Sequence, residues 1–150
     1  MRTVDVITSE EISRDREIVA AFACEPDNAP RWYENIEDVE WLTPRPLGVG
    51  TRLRFRAQFL WQRLDYTYEV TVYEPGATLV MRTHAGPFPM ETTYRFVTVA
   101  PARTLVELRN RGAPTGFARV MAPFMEPAMR RANRKDLTVL KRILEGDSST

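Results

Sequence analysis

Residues 50–72 read GTRLRFRAQFLWQRLDYTYEVTV, and the pattern in this stretch has a period of two. Leu53, Phe55, Ala57 and Phe59 alternate with Arg52, Arg54, Arg56 and Gln58. Successive strand side chains point to opposite faces, so this is a half-buried strand with one apolar and one wet face. The next run repeats the pattern, with Leu64, Tyr66, Tyr68, Val70 and Val72 on the apolar side against Asp65, Thr67, Glu69 and Thr71. A hairpin closed at Trp61 and Gln62 sets Arg54 opposite Glu69 outside and Phe55 opposite Tyr68 inside, so charge and apolar pairing agree on one register. The turn adds little, because Trp-Gln lacks the Gly or Asn that tight hairpins prefer.

Downstream, Pro75-Gly76 marks a turn, Leu79 to His84 a strand, and Gly86-Pro87 a break before a strand from Phe88 to Val99. That strand sets Phe88, Met90, Thr92, Tyr94 and Phe96 on one face and Glu91, Thr93 and Arg95 on the other. After Pro101, Leu105 to Arg111 is a final strand with Val106, Leu108 and Asn110 inward. Upstream, Thr3 to Ile12 reads as a first strand, Ser13 as a helix N-cap, and Arg14 to Cys24 as a short helix stopped by Pro26. Asp27-Asn28-Ala29-Pro30 opens a second short helical turn carrying Trp32 and Tyr33, and Ile36, Val39 and Trp41 begin an extended segment.

From Gly116 to about Glu145 the period changes to that of a helix, with Phe117, Val120, Met121, Phe124, Ala128, Ala132, Leu137, Leu140 and Leu144 recurring every three or four residues. Phe117, Met121 and Phe124 are predicted to face the sheet, and Arg119, Arg131 and Lys135 to face water. Pro123 and Pro127 each remove a backbone donor and predict a bend. The basic second half of this helix, interrupted by Asp136 and Glu145, reads as a solvated outer face; contact with an acidic membrane surface is the alternative. The order is strand, two short helices, six antiparallel strands, long helix. A meander of this kind has an apolar face to cover, and the closing helix is the one element long enough to cover it.

Composition narrows the function. In 150 residues, 21 Lys and Arg nearly balance 20 Asp and Glu, for a formal net charge of +1, so no global field would hold nucleic acid. The lone Cys24 has no disulfide partner within the chain and reads as a buried helix thiol, and the start MRTVDVITSEEIS carries no signal peptide or membrane span. A cytoplasmic setting without stable membrane insertion is expected. No histidine pair, cysteine pair or tight carboxylate cluster suggests a metal, and no cofactor motif is present. Gly48-x-Gly50 precedes a strand rather than a helix and is read as a turn, not a phosphate cradle.

The inner faces supply the candidate site. Phe55, Phe59, Tyr66, Tyr68, Met81, Met90, Tyr94 and Phe96 face Phe117, Met121, Phe124, Met125 and Met129, with Asn110 on the last strand and Trp32 as a wall near one end. A solid core is one reading of this set. Methionines suited to adaptable surfaces, and buried tyrosine hydroxyls that need partners, favour a cavity for a small molecule. Tyr66, Tyr68, Tyr94 and His84, the one histidine, are the candidate catalytic groups; His84 at a strand end reads as exposed and without an orienting partner.

The element order, with the stretches DNAPRWYENI, GTRLRF, GPFPMETTYRF and MRRANRKDLTVLKRIL, resembles the START, polyketide cyclase and birch-pollen-allergen superfamily over essentially the whole chain. It is most similar to bacterial members described as polyketide cyclase/dehydrase-like, and LGVG at 47–50 matches the family's glycine-containing loop between the second and third strands. The resemblance implies an α+β helix-grip fold: a curved seven-stranded antiparallel sheet around a long C-terminal helix, with two short helices between the first two strands. It implies one domain over residues 1–145 with a frayed tail at 146–150, and a cavity for a lipid, polyketide, quinone or other aromatic ligand. A non-enzymatic binder acting as a monomer or homodimer is the first expectation. A cyclase, dehydratase or hydrolase acting on such a ligand is the second, and a regulatory or co-chaperone-like interaction module the third.

Overall fold

The computed structural model describes residues 4–59, 62–85, 89–113 and 116–146, and gives the backbone alone at 59, 84, 85 and 116–122. Strands β1 (Val4–Ile12), β2 (Ile36–Trp41), β3 (Arg52–Phe59), β4 (Gln62–Glu74), β5 (Thr78–Ala85), β6 (Met90–Ala100) and β7 (Arg103–Gly112) form one sheet in the order β1-β7-β6-β5-β4-β3-β2. Every pairing is antiparallel. β2 to β7 therefore run as a meander, while β1 lies at the far edge beside β7. Between β1 and β2, helix α1 (Arg16–Ala23), a 3₁₀ turn (Pro26–Asn28) and helix α2 (Ala29–Trp32) carry the chain from one sheet edge to the other. Helix α3 (Gly116–Lys141) runs into a π-helical turn (Arg142–Gly146) and packs along β1. This is a helix-grip architecture, with register shifts in β2, β4 and β6 where bulges bend the strands.

Polar bonds fasten α3 at both flanks. On the β1 side, the Glu126 carboxylate accepts from the Asp5 N–H at 2.9 Å, and Lys141 Nζ donates to the Glu11 carbonyl at 3.0 Å. On the other side, Asp136 Oδ1 accepts from the Glu34 N–H at 3.0 Å, and Lys135 pairs with the Glu34 carboxylate at 2.9 Å. The outer sheet face carries cross-strand ion pairs such as Arg52–Glu69, Arg54–Glu40 and Arg109–Asp5. Exposed pairs of this kind contribute about 0–1 kcal/mol each and mainly keep that face wet.

The core is in two parts. Leu137, Leu140 and Leu144 join Trp32, Leu53, Val70, Leu79, Phe96, Val106 and Leu108 in the main cluster. Val4, Val6, Met125 and Met129 form a smaller one, with Met90 against it.

Several expectations are corrected. The β3–β4 hairpin closes with Phe59 opposite Gln62, and its register is two residues from the expected one: Arg52 opposes Glu69, Leu53 opposes Tyr68 and Phe55 opposes Tyr66. A shift of two preserves both faces, so alternation cannot detect it. Arg54 instead pairs with Glu40 on β2. The shift between Val70 and Val72 in the β4–β5 pairing reverses the alternation, leaving Val72 exposed and packing Tyr73 against the core. Ser13 does not cap α1; Asp15 is the N-cap, without a side-chain bond, and the Ser13 N–H donates to the Glu145 carboxylate at 2.6 Å. Asp136 is buried on the inner face of α3 rather than interrupting its outer one. Phe124, expected against the sheet, is 66% exposed because the inward position at this turn belongs to Met125. Arg131 and Lys135 face water as expected. The orientations expected of Phe117, Arg119 and Met121, and the tail at 147–150, lie outside the described residues; Gly146 closes the π-helical turn.

These placements set a stability contrast. Leu140, fully buried under the sheet, should cost about 2–5 kcal/mol when replaced by Ala. Phe124→Ala should stay within about 0.5 kcal/mol of the parent, as surface changes do. Urea unfolding of the two variants checks the pair; comparable losses would contradict the observed phase of α3.

Candidate functional site

Where the two core clusters fail to meet, a cavity of about 160 Å³ remains between the sheet and α3. Small side chains at Ala57 on β3 and Ala132 on α3 leave the space. Its apolar wall comes from Phe55, Leu64 and Met81 of the central strands and from Met90, Met125 and Met129 of the smaller cluster.

A polar set converges on this wall. The hydroxyls of Tyr33 and Tyr94 are hydrogen-bonded to each other. Trp32 lies behind them, its ring 4.1 Å from Tyr33 and 6.1 Å edge-on from Tyr94. Across the sheet, the Thr92 hydroxyl donates to Asn110 Oδ1 at 2.8 Å and also reaches the Tyr68 hydroxyl. Tyr66 and Tyr68 lie ring to ring at 5.9 Å. Burial raises the pKa of Tyr33, Tyr66, Tyr68 and Tyr94, so all four remain neutral hydroxyls at ordinary pH.

Helix α3 supplies the rest from two adjacent turns. Asp136 is 2% exposed; burial raises its carboxyl to about 6, with the Glu34 N–H opposing the rise. Asn133, one turn earlier on the same face, is buried, and its amide nitrogen has no hydrogen-bond partner among the described residues. A carboxyl that titrates near 6 beside neutral hydroxyls can hold or release a proton, and the free amide can donate to a bound oxygen. Among the described residues no three His, Cys, Asp or Glu side chains come close enough to hold a metal ion.

Of the residues singled out from sequence, the structure places Phe55, Tyr66, Tyr68, Met81, Met90, Tyr94, Asn110 and Met125 on the cavity wall. Trp32 and Phe96 are packed in the main core rather than on that wall, and Phe124 points away from it. The side chains of Phe59, His84, Phe117 and Met121 lie outside the described residues. Cys24 is a buried thiol at the end of α1, pushed up to about 12 by burial. Sequence reasoning passed over Tyr33, Asn35, Gln58, Asn133 and Asp136 as wall residues. A signal for the α3 pair existed: Asn133 and Asp136 lie at i+4 and i+7 from Met129, in phase with Leu140 and Leu144.

The chain shares this architecture with solved structures of diverse description. The Zhui aromatase/cyclase from Streptomyces sp. R1128 superposes with a TM-score of 0.83 at 16% identity, covering 96% of this chain and 94% of that one. A START superfamily protein from Mycobacterium smegmatis gives 0.78 at 14% identity, over 97% and 99% of the two chains. The major latex-like protein 151 of Panax ginseng gives 0.63 at 12% identity, over 89% and 97%. At these identities the likeness is one of fold. No curated protein matches the sequence. The family model described as polyketide cyclase/dehydrase and lipid transport, however, matches residues 3–145, taking in every strand and nearly all of the closing helix. With sheet, grip helix and sequence profile in agreement over that span, the chain belongs to the polyketide cyclase/dehydrase and lipid transport family.

Proposed function

We propose that this protein binds a small apolar, oxygen-bearing molecule in the cavity between the sheet and α3. The observation that carries this reading is a methionine-rich apolar wall on which buried hydroxyl and amide groups converge, the composition expected of a small-molecule site rather than of a packed core. The volume bounds the ligand: a closed cavity of about 150 Å³ takes up benzene, so this space of about 160 Å³ suits one ring, and because it is partly open a second ring can extend toward its mouth. Tyr66, Tyr68, Tyr94 and Asn110 would supply polar contacts, and Phe55, Met81, Met90 and Met125 the apolar ones. Binding needs no cofactor or metal on this reading, and one domain over residues 1–145 would suffice, as monomer or homodimer.

A second reading, an enzyme of the cyclase or dehydratase kind, is favoured by Asp136. Its carboxyl, raised to about 6, lies on the same wall as the Tyr33–Tyr94 hydroxyl pair. Asp136 would take a proton from a carbon next to a carbonyl, and a tyrosine hydroxyl would donate a hydrogen bond to the developing enolate. Asp136→Asn should then abolish turnover of such a substrate while leaving its binding intact.

Two measurements test these readings. A one- or two-ring aromatic ketone at about one hundred times its Kd should add about 2.7 kcal/mol of stability and raise the unfolding midpoint by roughly 5–10 °C. Ala132→Phe, which fills the space, should erase that shift while the protein remains folded; a shift that persists would place the ligand elsewhere. The Asp136 carboxyl gives a signature in the absence of ligand. Its folded pKa of about 6 exceeds the ordinary aspartate value of 3.8, so the native state holds this proton more tightly than the unfolded chain. Its contribution to stability therefore falls as pH rises from about 4 to about 6 and stays low above that. Asp136→Asn should match the parent near pH 4 and exceed it by about 1–3 kcal/mol at pH 7.5. Denaturant unfolding at the two pH values reads this difference; a variant less stable than the parent at pH 7.5 would contradict it.

A further inference from the structure

The cavity's charge inventory carries a sharper statement about what it accepts, resting on the binding reading above. Among the described residues that line it there is no Arg, Lys or His, and the one carboxyl is Asp136. The tyrosines on its wall are neutral hydroxyls. An anion entering this space would shed part of its hydration, meet no cation among the described lining residues, and lie beside the Asp136 carboxylate. Asn133 adds the opposite requirement. Its amide is buried, lines the cavity and has no acceptor for its N–H groups. An unpaired buried donor is costly, and an incoming oxygen lone pair relieves that cost. An ammonium could pair with Asp136, but it has no lone pair to offer Asn133.

We infer that the cavity selects a neutral one- or two-ring carbonyl or hydroxyl compound, its oxygen accepting a hydrogen bond from Asn133, and rejects carboxylates of the same shape. Fatty acids and aryl carboxylates are thereby excluded, while neutral aryl ketones and phenols are admitted. Asn133 is the specificity-determining residue: it distinguishes an oxygenated ligand from a hydrocarbon, and Asp136 distinguishes a neutral ligand from an anionic one.

Three probes of nearly equal shape test this on the full chain: 2-ethylnaphthalene, 2-acetylnaphthalene and 2-naphthoate, with affinities measured by fluorescence titration at pH 7.5. The ketone should bind the parent at least about tenfold more tightly than the carboxylate, a gap of about 1.4 kcal/mol. Asn133→Leu, which replaces the unpaired amide by an apolar group of similar size, should weaken the ketone by about tenfold and leave the hydrocarbon within about twofold. Carboxylate binding equal to ketone binding in the parent overturns the inference without any variant, and so does an Asn133→Leu protein that weakens hydrocarbon and ketone alike. If the hydrocarbon binds but the ketone gains nothing over it, the cavity reading stands and the selectivity falls. If neither neutral probe binds, both fall together.

Discussion

The phase at which α3 meets the sheet is the constraint from which the rest follows. Leu137, Leu140 and Leu144 enter the main core, while Met125 and Met129 close a separate cluster with Val4 and Val6. Between these anchors the helix presents Ala132, Asn133 and Asp136 instead of large apolar side chains, and the two clusters do not join. A partly open space of about 160 Å³ remains between the sheet and the helix. Hydrogen bonds to β1 on one flank and to Glu34 on the other hold α3 in this position over the gap.

That gap is also where local rules of stability are broken. A carboxyl raised to about 6 by burial and an amide without a partner both oppose folding. Polar groups that oppose folding concentrate at functional sites, and their clustering on one wall supports the binding reading proposed above. The tyrosines add hydroxyls without adding charge. Among the described residues, that wall is neutral except for the Asp136 carboxyl.

The fold is shared with proteins described as an aromatase/cyclase, a START superfamily member and a plant latex-like protein, at identities between 12% and 16%. At these identities the likeness is one of fold, and function must be argued from the side chains that line the cavity. In this chain the cavity has Met90, Met125 and Met129 at one end and the Tyr33–Tyr94 pair with Asp136 at the other. On the binding reading proposed above, the flexible thioethers would adjust to ligand shape and the polar end would fix its orientation.

The sequence by itself determined the strands, most of their inward faces and the closing helix, because alternation at a period of two and recurrence at 3.6 are properties of the chain read locally. Tyr68, Tyr94 and Asn110 could be placed on the inner face on that ground alone. Tertiary structure decided what local periodicity cannot resolve. A register shift of two leaves every face unchanged, so the β3–β4 pairing was free to differ from the one that charge matching favoured. The bulge in β4 exchanged Val72 for Tyr73 through pairing with β5, a partner no local pattern reveals. Phe124 and Met125 lie about 100° apart on the helix, and a broad apolar stripe admits either as the inward residue until β1 and its Val4 and Val6 choose Met125. Asp136 was hidden for a different reason. Apolar periodicity assigns polar residues to solvent by construction, so a carboxyl on the inner face becomes visible only when the Glu34 N–H and the cavity wall are brought around it.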